Sequence, residues 1–246
     1  MGSCEHSAVP WSAEQSERLV EVWRALLESQ NGEWVDGSEL QADGGAIGWA
    51  LDSFVPAGER VLILGAGRGQ EVATARSRGY VTQGFTLGPK NIEVARRQFG
   101  VALEFQDAHC SLLPDRSFGA VLGLQILEHS PAPLMLLLEC ARVLRPGGLL
   151  ITETPAPTRH TGGRSLHHVL CPTPRQLVGL FEKAGFVHVR QWSERTPLAL
   201  ADLDRSDLPD DLLTVGVRAR DDELEGFDPI TRQLLASHSP RPQHET

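Results

Sequence analysis

The chain has no apolar run long enough to cross a membrane: the longest, around Leu134–Leu138, falls far short of the roughly 20 residues a spanning helix needs. It also lacks basic character. Lys and Arg total 23 against 32 Asp and Glu, a formal net charge of -9, and no strong basic stretch interrupts the acidity. A nucleic-acid binder needs a positive footprint for phosphates, so a DNA or RNA substrate is disfavoured. Cysteine is scarce. Cys4, Cys110, Cys140 and Cys171 form no C-x-x-C pair, so neither a zinc knuckle nor a redox pair is indicated. Reduced thiols, mostly filling the core, are expected. Tyrosine occurs once, at Tyr80. The first seven residues hold no basic segment followed by an apolar one, so no secretory signal is read. They approach a myristoylation signal but carry His6 where Ser or Thr is required. The expected location is cytoplasmic. Internal repeats and a G-K-[ST] phosphate loop are missing too.

What is present is an alternation. With 246 residues the chain suits one large α/β domain. Leu19, Val20, Trp23, Leu26 and Leu27 recur at helical spacing and predict an amphipathic helix over 12–29. A second helix is read over 45–54, before the turn Pro56-Ala57-Gly58. Short apolar strands follow at 61–65, 80–85, 101–105, 118–124, 149–153, 186–192 and 212–218. Helical stretches lie between them at 70–78, 89–99, 134–144 and 174–184. Strands separated by helices imply a parallel sheet with helices on both faces. The last two strands have no clear helix between them and are expected to pair antiparallel. The predicted fold is therefore α/β, a doubly wound seven-stranded sheet, mostly parallel with an antiparallel last strand. Residues 1–54 read as an N-terminal helical cap, 55–219 as the core, and 220–246 as an acidic, flexible C-terminal tail.

The first strand runs into Gly65-Ala66-Gly67-Arg68-Gly69 and then a helix. Ligands of such sheets bind at the carboxyl ends of the strands, and glycines let a backbone approach a ligand closely. A plain tight turn uses the same residues, so the loop alone decides little. A dinucleotide fingerprint needs G-x-G-x-x-G, whereas here the third glycine comes one residue early. The G-x-G-x-G form resembles the first motif of class I S-adenosylmethionine (SAM)-dependent methyltransferases, whose loop cradles the methionine part of SAM. Further segments match that family in order and spacing across about residues 59–190. The most specific are Leu113-Pro114-Asp115 with Ser117-Phe118, Ile126-Leu127-Glu128-His129, Arg142 through Pro146-Gly147-Gly148, and Ala184-Gly185-Phe186. Together they resemble the small-molecule and quinone methyltransferases. The resemblance implies a Rossmann-like fold with the N-terminal helices as a lid.

It also implies SAM as cofactor. The residues that would hold it are Gly65, Ala66, Gly67 and Gly69, Thr86 and Leu87 after strand two, Asp107 and Ala108 after strand three, and Leu124 and Gln125 after strand four. Asp107 would accept from the adenine amine, which suits an acceptor-only carboxylate. Leu124 and Gln125 would line the methionine portion. Two positions depart from the family pattern. The acid that ends strand two and holds the ribose is here Thr86, in a T-L-G-x-x-N form similar to that of cyclopropane-fatty-acid synthases and some natural-product methyltransferases. Asn91 or backbone groups are expected to share its work. The tyrosine-containing site of those synthases is not matched by Tyr80, which opens a strand. The usual strand-four Asp is here Gly119, a loss expected to touch structure more than function.

Methyl transfer from a sulfonium is an in-line displacement in which positioning supplies much of the rate. A hydroxyl acceptor also needs a base, and His suits neutral pH. His129, after strand four, and His168, before the Pro172–Pro174 turn, are the candidate catalytic residues, with His167 alongside. The plainer readings are a loop-shaping Glu128-His129 pair and a surface His167-His168 pair. Some relatives hold a divalent ion with E-x-x-E-H and a later His. Gln125 replaces the first Glu here, which leaves Glu128, His129 and His168, and no metal is expected. Trp11, Trp23, Trp34 and Trp49 precede the core and could wall an acceptor site or simply anchor helices. The expected function is SAM-dependent methylation of a small organic molecule, at oxygen first, in natural-product biosynthesis. The expected partner is that acceptor, with a homodimer allowed and no nucleic acid or membrane. Two competing readings are a nucleic-acid or protein methyltransferase, opposed by the acidity and the lack of an N-P-P-[FYW] tetrapeptide, and a non-catalytic SAM binder. Thr86 and Gly119 favour the latter, and Asp107 with the intact glycine loop opposes it.

Overall fold

Runs of Val, Leu and Ile without polar alternation suit a sheet covered on both faces, and strands form on them. The computed structural model describes residues 12–31, 45–157, 168–205, 207–208 and 211–236. Its strands are β1 (Arg60–Ile63), β2 (Val81–Thr86), β3 (Glu104–Phe105), β4 (Phe118–Leu124), β5 (Leu144–Thr154), β6 (Phe186–Ser193), β7 (Thr196–Pro197) and β8 (Leu212–Arg218). They form one sheet in the order β3-β2-β1-β4-β5-β8-β6-β7. Pairing is parallel from β3 across to β5, and antiparallel where β8 inserts between β5 and β6 and where β7 flanks β6. The sheet has eight strands rather than seven. The extra one, β7, returns from β6 through Glu194 and Arg195, both at positive φ, the two-residue turn that strand twist favours.

The helices are α1 (Ala13–Asn31), α2 (Gly45–Phe54), α3 (Gln70–Ser77), α4 (Pro89–Val94, continued as a π turn to Phe99), α5 (Pro133–Val143), α6 (Pro174–Lys183) and α7 (Pro229–Ala236). Alternate residues of the central strands feed two apolar layers. Leu62 and Val121 face Leu136, Leu137 and Phe181 of α5 and α6. Val61, Ile63 and Leu122 face Leu51 of α2 and Val72 of α3. Among the described residues no helix is long and apolar enough to cross a membrane.

Four expectations need correction. α2 buries Ile47, Ala50 and Leu51 in the core, so it belongs there rather than to a cap. Residues 220–236 are not a loose tail: Leu224 and Leu235 are buried, and the Thr231 hydroxyl donates to the Lys183 carbonyl at 2.8 Å. Residues 237–246 lie outside the described residues. β5 starts at Leu144, not Leu149; Pro146-Gly147-Gly148 forms a bulge inside it, since Leu144 opposes Phe118 while Leu149 opposes Ala120. Of the cysteines, Cys140 is a core residue, but Cys110 and Cys171 are exposed.

Candidate active site

The glycine loop is pinned on both sides: the Leu64 N–H donates to Leu122 O at 2.8 Å and the Ala66 N–H to Phe85 O at 2.9 Å. Gly65 has φ +55°, and a Cβ there would fall 2.8 Å from Ile126 Cδ1. Gly69, at φ +88°, precedes α3, and its Cβ would meet the Ala95 and Val101 side chains at 2.7 Å. Side chains are therefore excluded at both positions. Bare backbone, with Gly67 between, lies at the carboxyl edge of β1, as a cradle for a closely held ligand requires.

Asp107 follows β3. Its Oδ1 accepts from the His109 backbone N–H at 3.0 Å and from the His109 ring Nδ1 at 2.7 Å. Because a carboxylate only accepts, Nδ1 carries a proton, and Nε2 is hydrogen-bonded to the Ser130 hydroxyl at 2.6 Å. Oδ2 accepts from the Trp23 indole N–H at 2.6 Å. Burial pushes the Asp107 carboxyl up, but the hydrogen bonds from His109 and Trp23 outweigh it and hold the group below the usual carboxylate range. Thr86 is buried, and its hydroxyl oxygen accepts from the Gly88 N–H at 3.2 Å, which leaves its proton for a ligand. Asn91 is buried against Gly88. Leu87 is half-buried, and Ala108 and Leu124 are nearly closed off.

At the end of β4, Gln125 takes the left-handed conformation, φ +53°, unusual for a residue with a side chain. Its N–H donates to Glu153 O at 2.8 Å, and its amide group donates to Glu153 Oε2 at 3.3 Å and Asp211 Oδ2 at 3.2 Å. Gln125 thus ties β4 to β5 and to the head of β8. Glu71, in the first turn of α3, is pushed up to about 7 by burial and by the charge of Glu153. Sequence reasoning missed Glu71, Glu153 and Asp211. Glu153 was findable, one residue before the end of a strand on the ligand edge. Asp211 was not, because its place depends on β8 inserting antiparallel.

The next turn, Leu127–His129, carries the histidine candidate. The N–H groups of Val169 and Leu170 donate to the Glu128 carbonyl at 2.8 and 3.2 Å. That contact sets His168 against His129, ring centres 4.6 Å apart and planes at 80°. Glu128 is fully buried, and among the described residues neither carboxylate oxygen has a hydrogen-bond partner, the His129 Nε2 standing 3.9 Å from Oε1. Burial, reinforced by Asp211 and Glu153, pushes it up to about 8. One ligand atom each from Glu128, His129 and His168 lie within 4.8 Å of one another. A tetrahedral ion with bonds of about 2.1 Å needs ligand atoms about 3.4 Å apart, so modest side-chain rotation would close the set. His167, Trp11 and Trp34 lie outside the described residues. Trp49 packs on Phe54 and Trp192, as an anchor does.

Gly119 has no side chain because Glu59 occupies the space: a Cβ there would run into the Glu59 carboxylate, which pairs with Arg145. An acid thus reaches this corner of the sheet from a different position.

Residues 62–152 match the family model of the methyltransferase domain. The ubiquinone biosynthesis O-methyltransferase of Cereibacter sphaeroides is 32% identical over 102 residues, 39% of this chain and 41% of that protein. The demethylmenaquinone methyltransferase of Tropheryma whipplei is 34% identical over 112 residues, 43% of this chain and 46% of that protein. The chain therefore spans less than half the length of these curated relatives. Among solved structures, a SAM-dependent methyltransferase of Thermotoga maritima, described as a possible histamine N-methyltransferase, superposes with TM-score 0.58 at 17% identity, covering 83% of this chain and 97% of that one. That likeness establishes a shared fold.

Proposed function

We infer that the chain, whose residues 62–152 match the methyltransferase domain model and whose fold is shared with a SAM-dependent methyltransferase, is an enzyme that moves the methyl group of SAM to a small organic acceptor. One observation carries the reading: the glycine-rich loop Gly65–Gly69 after β1 and the Asp107 acceptor after β3 share the carboxyl edge of the parallel strands, where His129, after β4, pairs with His168. SAM supplies a methyl group already activated on a sulfonium. Gly65, Ala66, Gly67 and Gly69 hold its methionine part with Leu124 and Gln125, Thr86 and Leu87 meet the ribose, and Asp107 and Ala108 meet the adenine. The acceptor atom is oxygen in this proposal, and the setting natural-product biosynthesis. His129 or His168 takes the hydroxyl proton as the oxygen attacks. The acidity of the chain argues against a nucleic-acid substrate.

Calorimetry with SAM and with NAD tests the cofactor: SAM binds and NAD does not, and the reverse would overturn the assignment. For the base, replacing the working histidine by Ala lowers turnover by roughly 10²–10⁴ with SAM affinity nearly intact. If both variants keep full activity, neither residue is the base.

The buried Glu128 carboxylate, which has no hydrogen-bond partner among the described residues, supports a second reading, in which Glu128, His129 and His168 hold a divalent ion that lowers the acceptor hydroxyl's pKa. EDTA then abolishes activity, and Glu128→Ala is as harmful as His129→Ala. EDTA without effect retires this reading and leaves the histidine base.

A further inference from the structure

The carboxylate of Asp107 has two oxygens, and the fold treats them differently. Oδ1 is committed to the protein: it receives the backbone N–H and ring Nδ1 of His109, and the Ser130 hydroxyl at Nε2 fixes that imidazole from behind. Oδ2 is the oxygen left over. It receives the indole N–H of Trp23, 84 positions away, at 2.6 Å, and lies 3.9 Å from the Cys110 thiol, a weak donor. The indole also meets the His109 ring edge-on, centres 4.8 Å apart and planes at 86°.

Trp23 belongs to α1, and α1 is poorly seated. Leu19, Val20, Val22 and Leu26 are between 41% and 54% exposed, whereas Trp23 is half-buried. Among the described side chains of α1, Trp23 alone is half-buried, so the contact at Asp107 is the seat that these residues provide. A part-buried carboxylate oxygen without a strong donor costs free energy, and beside the long Cys110 contact it is Trp23 that supplies the strong donor here.

We propose that Trp23 stands in for the adenine amine: in the cofactor-free protein its N–H caps Asp107 Oδ2 and seats α1 over the adenine site, and cofactor binding replaces one donor with another and releases α1. His109 acts as a positioning residue, since its grip on Oδ1 decides which oxygen is exchanged. The proposal rests on the SAM reading of the site and adds a regulation to it. Apparent affinity is reduced by the fraction of molecules in which Trp23 holds the acceptor.

The test is titration of the full chain with S-adenosylhomocysteine, wild type against Trp23→Phe, by calorimetry and stopped-flow tryptophan fluorescence. Phe keeps an aromatic ring and deletes only the competing donor. The expected result is binding roughly tenfold tighter in Trp23→Phe, the size of one hydrogen bond to a charged acceptor removed from competition. The association rate saturates with ligand in the wild type, limited by release of the indole, and rises linearly in the variant. Equal affinity in both proteins, or weaker binding by the variant, overturns this inference while leaving the SAM site standing. If neither protein binds S-adenosylhomocysteine although circular dichroism shows both folded, the SAM reading falls and this inference with it.

Discussion

Glu59 and Gly119 show how one residue can answer for another. The methyltransferase-like pattern places an acid on strand four, yet Gly119 stands there and the Glu59 carboxylate fills the volume, held by Arg145 and by the Arg60 N–H at 2.9 Å. Gly119→Asp alone would force two carboxylates together and is expected to destabilise the fold. Adding Glu59→Ala should relieve this, giving a double-mutant coupling of about 0.5–3 kcal/mol by urea denaturation. Strictly additive effects would show that Glu59 does not substitute for the missing acid. Titration gives a second test. Glu71 is raised to about 7 in the folded protein, so the fold binds its proton more tightly than the unfolded chain. Its stabilising effect is complete below the unfolded value, near 4.5, and is lost as pH rises toward 7. Glu71→Gln should therefore flatten the fall in stability between about pH 4.5 and 7; an unchanged profile would mean the group titrates normally. On the ligand side, Thr86→Ala should weaken SAM binding by about 1 kcal/mol, one net hydrogen bond, and Asp107→Ala by at least as much, since its acceptor is charged. Loss of binding only in Thr86→Ala would move the adenosine elsewhere.

Elements differed in how plainly their sequences announced them. β8 matches its expected span, Leu212–Arg218, because a short apolar run buried nearly throughout has few alternatives. β5 was read to start five residues too late because Pro146-Gly147-Gly148 looks like a stop, and only the partner strand turns it into a bulge. β3 shrinks from the expected 101–105 to Glu104–Phe105 because an edge strand is defined by its single neighbour, and β2 pairs with two of its residues. In the site, the glycine loop, Asp107 and His129 were legible as motifs. The approach of His168 to His129 was not, since it depends on the Val169 and Leu170 amides finding the Glu128 carbonyl, and nothing local encodes that. α7 was hidden by its acidic flank. It docks Leu235 above Gly185, where a Cβ would collide with the leucine side chain. Leu235→Ala should cost about 2–5 kcal/mol of stability while leaving S-adenosylhomocysteine affinity unchanged. A loss of affinity would mean that α7 supports the ligand edge as well as the opposite one.

At the scale of the molecule, the two apolar layers share strands. Leu62 and Leu64 of the β1 segment serve one layer and Val61 and Ile63 the other, and β4 divides its residues likewise. Neither layer can melt without dismantling the strand that the other needs, so the core should unfold in one calorimetric transition. The candidate ligand edge is built from the ends of those same central strands, and a bound cofactor must then stabilise the whole unit. S-adenosylhomocysteine at about 100 times its Kd should add about 2.7 kcal/mol, seen as a single peak moved upward by several degrees. α1 stands outside this unit. Its described side chains other than Trp23 are exposed, whereas every residue of β4 is buried. Amides of α1 should exchange with solvent at the low-stability end, well before those of β4, with or without ligand. Two resolved transitions in the core, or α1 amides as protected as those of β4, would show that the layers are not coupled through the strands or that α1 is part of the core.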